Sequence, residues 1–388
     1  MKYKLGELIT IKHGFAFKGK NISTDDNGIV LVTPGNFKIG GGFKEDKCKF
    51  FNGEYPDDYV LKPGSLIVTM TDLSKTIDTL GFSALVPTSD RIYLHNQRIG
   101  LVHSISNSID KQYLYWFMRT PGYQRTIAAT SSGSTVHHTS PDRICETEIE
   151  LPGLEIQKRI AGFLDSFEEK IETNNKINDN LQQQAMALFS KLFPLAGKAD
   201  AANGILSDIA VITMGQSPSG ESYNEIGNGV VFFQGRAEFG FRFPSVRLFT
   251  TEPKRMASYG DTLVSVRAPV GDLNIAHEDC CVGRGLAAVH SNNGHPSFIL
   301  YTMLSLRNQL DVYNGQGTVF GSINRKAMNE LSVFIPSNQE MDAFERLARP
   351  IDAMIRKNHD ENVRLNKLRD TLLPRLMSGE IDVSSIQL

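Results

Sequence analysis

Apolar residues along this chain follow two kinds of pattern. Between Gln157 and Phe193 the positions Ile160, Leu164, Phe167, Ile171, Asn174, Asn178, Leu181, Ala185, Leu188 and Leu192 keep an unbroken alternation of four and three. That seam predicts a long helix paired with another helix. The alternation returns at Phe344, Ala348, Ile351, Ile355, Asn358, Asn362, Leu365, Arg369, Leu372 and Leu376. Pro194 and Gly197 predict the end of the first helix and Gly379 the end of the second, while Pro350 and Pro374 predict a bend in the second rather than a break. Elsewhere the apolar runs are short and bounded by Gly, Pro or Asn, as in Gly28 to Pro34, Gly64 to Thr71, Gly81 to Pro87, Ile99 to Ile105, Gly229 to Gln234, Gly260 to Val266, Gly285 to Val289 and Leu331 to Pro336. These predict strands, with helices over Lys111 to Arg119 and Pro296 to Gln309.

The chain is written twice. Leu151–Phe193 and Ile335–Met377 align without a gap at an offset of 184; Leu5 and Gly14 match Leu206 and Gly215 at 201, and Gly64 matches Gly260 at 196. A repeat of this length, far above the 20 to 50 residues of a solenoid, means two domain-sized units. The expected organisation is a globular unit over residues 1–150, a long helix over 151–197, a second globular unit over 203–335 and a second long helix over 336–380. The expected fold is α+β: two mixed, sheet-dominated domains separated by a two-helix antiparallel coiled coil, an internal repeat with pseudo-two-fold symmetry.

The asparagines set the register of that pairing. If antiparallel layer partners have residue numbers summing to 536, Ile160 meets Leu376, Leu164 meets Leu372, Ile171 meets Leu365, Asn174 meets Asn362 and Asn178 meets Asn358. Buried asparagines cost stability but penalise any slip that sets an amide against leucine. A parallel pairing also matches asparagines, and the return of the chain alongside itself favours the antiparallel one. Phe167 then faces Arg369, which works only if the arginine stem covers the ring.

Composition narrows the function classes. No apolar run approaches the roughly 18 residues of a membrane span, so a soluble, cytoplasmic protein is expected. Cys48, Cys145, Cys280 and Cys281 have no metal-ligand spacing. The net charge is −2, with 17 basic against 16 acidic residues in 1–150 and 10 against 11 in 201–336. That argues against indiscriminate binding through a broad basic surface and leaves room for local basic grooves.

The two globular units share scaffold signals but differ in their polar loops. Where the first has Thr71, the second has Arg267, and His137 and His138 become Gly321 and Ser322. A common frame with different loop side chains is what two readers of different half-sites require, because base edges are distinguished by side chains. Candidate DNA-binding residues are Thr69, Thr71, Lys75, Arg98, Ser134, His137, His138 and Arg143 in the first unit. In the second they are Arg236, Arg242, Arg247, Arg267, Arg284, Thr318, Arg325 and Lys326. Arg98 and Arg284 occupy similar places, which suits phosphate positioning more than base reading.

Each long helix is introduced by a proline-containing segment, Ile149-Glu-Leu-Pro-Gly-Leu-Glu-Ile-Gln-Lys-Arg-Ile-Ala and Val333-Phe-Ile-Pro-Ser-Asn-Gln-Glu-Met-Asp-Ala-Phe, and the second ends in Leu372-Leu-Pro-Arg-Leu-Met-Ser-Gly-Glu-Ile. On these segments and the duplication, nearly the whole chain resembles the specificity subunit of type I restriction-modification systems. The second segment departs from the pattern in carrying Gln339 two places early, which implies unequal subunit contacts at the two ends. The resemblance implies two target-recognition domains, each reading one half of an asymmetric bipartite DNA target, with the helices as spacer. It also implies two methyltransferase (modification) subunits and the restriction (translocase and nuclease) subunits as partners, and no catalysis, cofactor or metal in this chain itself.

Two other classes compete. An adenine methyltransferase needs a Pro-Pro-aromatic tetrapeptide, and the chain has no Pro-Pro. A Mg-dependent nuclease could be built on Asp26 with Glu45, Asp46 and Lys47, a short pattern that arises by chance in such a loop. A coiled-coil scaffold that binds no DNA is the third class.

Overall fold

The computed structural model describes residues 1–388 except 47, 75, 316–320 and 384–388. The candidates Lys75 and Thr318 therefore lie outside the described residues. The chain divides into two compact units, Met1–Ile171 with Val363–Leu388, and Glu172–Asn362. Each unit thus includes part of both long helices, whereas the sequence pattern separated globular units from helices.

In the first unit the run Gly28 to Pro34 becomes the strand Ile29–Val32, lying parallel to Ile92–His95 at the centre of a five-stranded sheet. Val30, Leu31 and Val32 are all fully buried, which explains a continuous apolar run in place of alternation. An antiparallel four-stranded sheet is ordered Ile9–His13, Ile99–Ile105, Leu66–Thr69, Ser83–Leu85. Asp110 caps the helix Lys111–Phe117, its Oδ1 accepting from the Gln112 and Tyr113 amides at 2.9 Å. That helix presents Tyr113, Leu114 and Trp116 to a core which also takes Ile160, Leu164, Leu373 and Leu376 from the two long helices.

The second unit repeats this plan. Its four-stranded sheet is ordered Ala210–Met214, Leu286–Ser291, Thr262–Ser265, Leu273–Ile275, and its five-stranded sheet has Val230–Phe233 parallel to Cys280–Val282 at the matching place. The strand order of both sheets is the same as in the first unit. Phe189 of the first long helix, Phe193 just past its end, Phe344 of the second, and Phe298 and Tyr301 of the domain form one aromatic cluster, with ring centroids between 5.3 and 6.2 Å apart.

The long helices span Leu154–Leu192 and Asn338–Met377, and the second stays helical through Pro350 and Pro374. Within the second unit the Asn174 amide donates to Asn362 Oδ1 at 2.8 Å and the Asn358 amide to Asn178 Oδ1 at 2.9 Å. Asn174 also donates to Glu361 at 2.8 Å, and Asn362 to Asn175 at 2.9 Å. All four asparagines of the seam are buried. Rising numbers on one helix meet falling numbers on the other, so the two segments run in opposite directions here.

Each domain is also bolted to helix residues of its own unit by an arginine, a carboxylate and a tyrosine. In the first unit Arg119 Nη1 donates to Glu168 at 2.6 Å and to the Tyr115 hydroxyl, and Arg369 approaches Glu168 at 3.5 Å. The Arg369 guanidinium also pairs with Asp370 at 2.7 Å. Burial alone would push Glu168 up; the Arg119 guanidinium overcomes it and holds the carboxyl below its usual value. Arg119 fits because Gly41, at φ +87°, has no Cβ; one would sit 2.5 Å from Arg119 Cγ. In the second unit Asp352 accepts from Tyr301 at 2.8 Å and from Arg242 at 3.2 Å.

Removing Arg119 leaves a partly desolvated carboxylate with the Tyr115 hydroxyl at 3.0 Å and the Arg369 guanidinium at 3.5 Å as its remaining partners. Arg119→Met should lower the unfolding free energy at pH 7 by about 2 kcal/mol, less than for a fully buried pair because Glu168 keeps some solvent. Urea denaturation measures it, and adding Glu168→Gln should restore part of the loss; a loss well under 1 kcal/mol would contradict this assignment.

Candidate nucleic-acid interface

Three segments meet at one end of the four-stranded sheet in each unit. In the first, the Met70 amide donates to Arg98 O at 2.9 Å while Met70 O accepts from the Thr139 amide at 3.0 Å. In the second, the Val266 amide donates to Gly285 O at 3.0 Å and Val266 O accepts from the Ile323 amide at 3.1 Å. One backbone residue thus ties the strand exit, a tight turn and a later loop together.

Just past this junction the side chains differ. Thr71–Asp72 pairs with His137–His138, placing Thr71 against His138, and Thr71 Oγ1 lies 3.2 Å from His138 Nδ1. At the corresponding place Arg267 bridges to Ser322. Gly321, which replaces His137, is dictated by packing, since a Cβ there would lie 2.0 Å from Tyr313 O. Arg267, Arg284 and Ser322 share the wall of an open pocket of about 510 Å³.

Strand register corrects one expectation. Ile99 pairs with Thr69 and Leu286 with Ser265, so Arg98 corresponds to Gly285, and Arg284 stands one residue earlier. Three candidates do not face solvent. Thr69 is fully buried and spends its hydroxyl on Thr71 O at 3.0 Å. Arg242 is buried in the carboxylate–tyrosine cluster, with Gln182 as a further acceptor at 2.9 Å, and its role there is to hold the domain to its helix. Thr71 is buried as well and reaches outward only through His138.

The remaining cations sort by whether they have a carboxylate. Arg236 pairs with Asp272, and Arg247 lies between Glu225 at 3.2 Å and Glu238 at 2.9 Å. Lys326 is exposed, 4.0 Å from Glu330. Arg98, Arg143, Arg267, Arg284 and Arg325 are exposed and have no carboxylate partner among the described residues; Arg143 donates to Ser132 Oγ at 3.1 Å. Ser134 is exposed on the same loop as His137 and His138. An arginine without a carboxylate keeps its donors for a phosphate or a guanine edge. Asp26 and Glu45, the core of the nuclease alternative, are bridged by Arg91 at 2.6 and 3.5 Å, so a cationic side chain stands where a metal ion would be needed.

Two supporting residues escaped the sequence reading. Asp72 accepts from the Ser74 amide at 2.6 Å and the Thr79 hydroxyl at 2.7 Å, closing the loop after Thr71. Burial opposes its ionisation, but these hydrogen bonds hold the carboxyl below its usual value. The Asp-x-Ser spacing was a usable turn signal. His95, fully buried before the turn that carries Arg98, lies with Nε2 2.8 Å from Ile99 O, an arrangement that places the proton on Nε2.

Residues 1–183 match the family model described as the type I restriction modification DNA specificity domain. A protein of Methanocaldococcus jannaschii assigned as the MjaX type I restriction enzyme specificity subunit is 31% identical over 326 residues, covering 79% of this chain and 76% of that protein. The MjaIX type I restriction enzyme specificity subunit of the same organism is 24% identical over 314 residues, covering 72% and 71%. The crystal structure of the type I restriction-modification system S subunit from M. genitalium shares the fold at a TM-score of 0.55 and 17% identity, over 97% of this chain and 95% of that one. The chain belongs to the family of type I restriction enzyme specificity subunits. No helix among the described residues is long and apolar enough to cross a membrane.

Burial drives the His95 pKa from 6.5 to about 4. The unfolded chain therefore takes up a proton below pH 6.5 that the folded chain refuses, so stability is complete above that pH and falls as pH drops toward 4. The contribution is about 3 kcal/mol between those limits. His95→Gln keeps a donor for Ile99 O and cannot titrate, so its urea midpoint should fall less than wild type's between pH 7 and 4.5. Parallel losses would contradict the buried neutral imidazole.

Proposed function

We propose that this chain is the sequence-reading subunit of a cytoplasmic type I restriction-modification complex and performs no chemistry itself. Each globular domain reads one half of an asymmetric bipartite target in double-stranded DNA through the loop end at the Met70 or Val266 junction. The long helices form an antiparallel coiled coil that relates the two domains by a pseudo-two-fold and sets the number of unread base pairs between half-sites. Their outer faces receive two modification subunits, which methylate adenine, and restriction subunits join that assembly.

The observation that carries the reading is one backbone frame with Thr71 and His138 at the place where the other copy has Arg267 and Ser322. Matching frames position two duplex segments alike, and unlike side chains give unlike base preferences. Arginines without carboxylates near both junctions supply the charge that a net −2 chain lacks as a whole.

The test is methylome sequencing of a host expressing the chain with its modification subunit. A split, asymmetric methylated motif with a fixed gap is expected. A continuous palindrome refutes the bipartite reading, and absence of any sequence preference favours the scaffold. In the same assay Arg267→Ala should relax one half-site and leave the other intact, each lost bidentate contact being worth about 1–3 kcal/mol of discrimination. Equal loss in both halves would refute the assignment.

A further inference from the structure

The second unit contains a cluster of metal-ligating side chains that DNA reading does not use. His277 lies between the strands Leu273–Ile275 and Cys280–Val282, and His359 and Asp360 are neighbours on the second long helix. One donor atom from each of the three falls within 4.8 Å of the others. His277 Nε2 is 2.9 Å from Asp360 Oδ1, and its Nδ1 is buried with no partner among the described residues. The two imidazoles meet edge to face at 5.5 Å, and Phe243 packs on both, at 5.1 and 4.9 Å.

The loop is held in place independently of any ion. Arg356 Nη2 donates to His277 O at 2.7 Å, and its guanidinium stacks over Tyr259 at 4.3 Å. Two imidazoles and a carboxylate are the donor set that suits zinc, nickel and cobalt rather than calcium or magnesium. Arg356 opposes a cation here, its charge facing the same group of rings, and Asp360 offsets it. Metal–ligand bonds of about 2.1 Å set tetrahedral donors roughly 3.4 Å apart, a spacing between the 2.9 Å of the His277–Asp360 pair and the 4.8 Å that bounds all three donors, and within reach of side-chain rotation at half-buried positions.

We propose that His277, His359 and Asp360 form a site for one divalent transition-metal ion of the zinc class, which replaces the His277–Asp360 hydrogen bond and clamps the 276–279 loop to the second long helix beside the Asn358–Asn178 layer. The ion is a structural clamp with room for solvent ligands.

The test uses the purified full chain, stripped with a chelator and titrated with Zn²⁺ against a chromophoric chelator, with Co²⁺ absorption as a second readout. Wild type should bind one equivalent at micromolar affinity or tighter and melt at a higher temperature with Zn²⁺. His277→Gln, His359→Gln and Asp360→Asn should each weaken binding by about tenfold or more and alter the Co²⁺ spectrum, while His103→Gln, at an exposed position of the first unit, changes neither. Melting curves without metal identify any variant that fails to fold, and Asp360→Asn then carries the test as the mildest change. Binding no tighter than millimolar, or tight binding undiminished in folded variants, overturns the site and leaves His277–Asp360 as a hydrogen bond.

Discussion

An amide buried in an apolar seam has to be answered by another amide, and much of the helical architecture depends on that demand. Asn174 with Asn362, and Asn178 with Asn358, satisfy each other in adjacent layers. A slip of one heptad would set Asn174 against Ile355 or Asn178 against Leu365, leaving groups that cost about 1–3 kcal/mol each when unpaired. Leucine layers would bind the helices more strongly but would tolerate such slips. Stability has been given up for uniqueness of register.

Within each unit the sheet frame is fixed by equally local means. A single residue at the strand exit, Met70 or Val266, makes two backbone hydrogen bonds to two separate loops, so the positions just beyond it are held whatever side chains they carry. This separation of frame from side chain lets Thr71–His138 in one unit be Arg267–Ser322 in the other. The domain-to-helix attachments follow the same logic with different parts. Glu168 and Asp352 stand at equivalent helix positions, yet their arginines come from unrelated elements, Arg119 after a helix and Arg242 from a loop.

Much of this was legible in the residues. The heptad alternation located both long helices, and the sum of 536 named the asparagine partners that the hydrogen bonds join. Short glycine-bounded apolar runs located the central strands because burial on both faces removes alternation. What could not be read was the fate of individual polar side chains. Arg242 and Arg267 look alike in sequence, and only the fold places one against Asp352 and Tyr301 and leaves the other facing solvent. Thr69 and Thr71 are likewise consumed internally by contacts two and 67 residues away. Offsets between the repeats were reliable inside elements and slipped at turns, where Arg284 stands one place from the position of Arg98.

The central claim, that paired amides fix the helix register, is tested most directly by a double-mutant cycle on Asn178 and Asn358. Asn178→Leu and Asn358→Leu should each lower the urea unfolding free energy, because each leaves one amide facing leucine. The double variant should be more stable than the sum of the two losses, with a coupling of about 1–2 kcal/mol. Additive losses would mean that the two amides do not answer each other, and the account of register would fail.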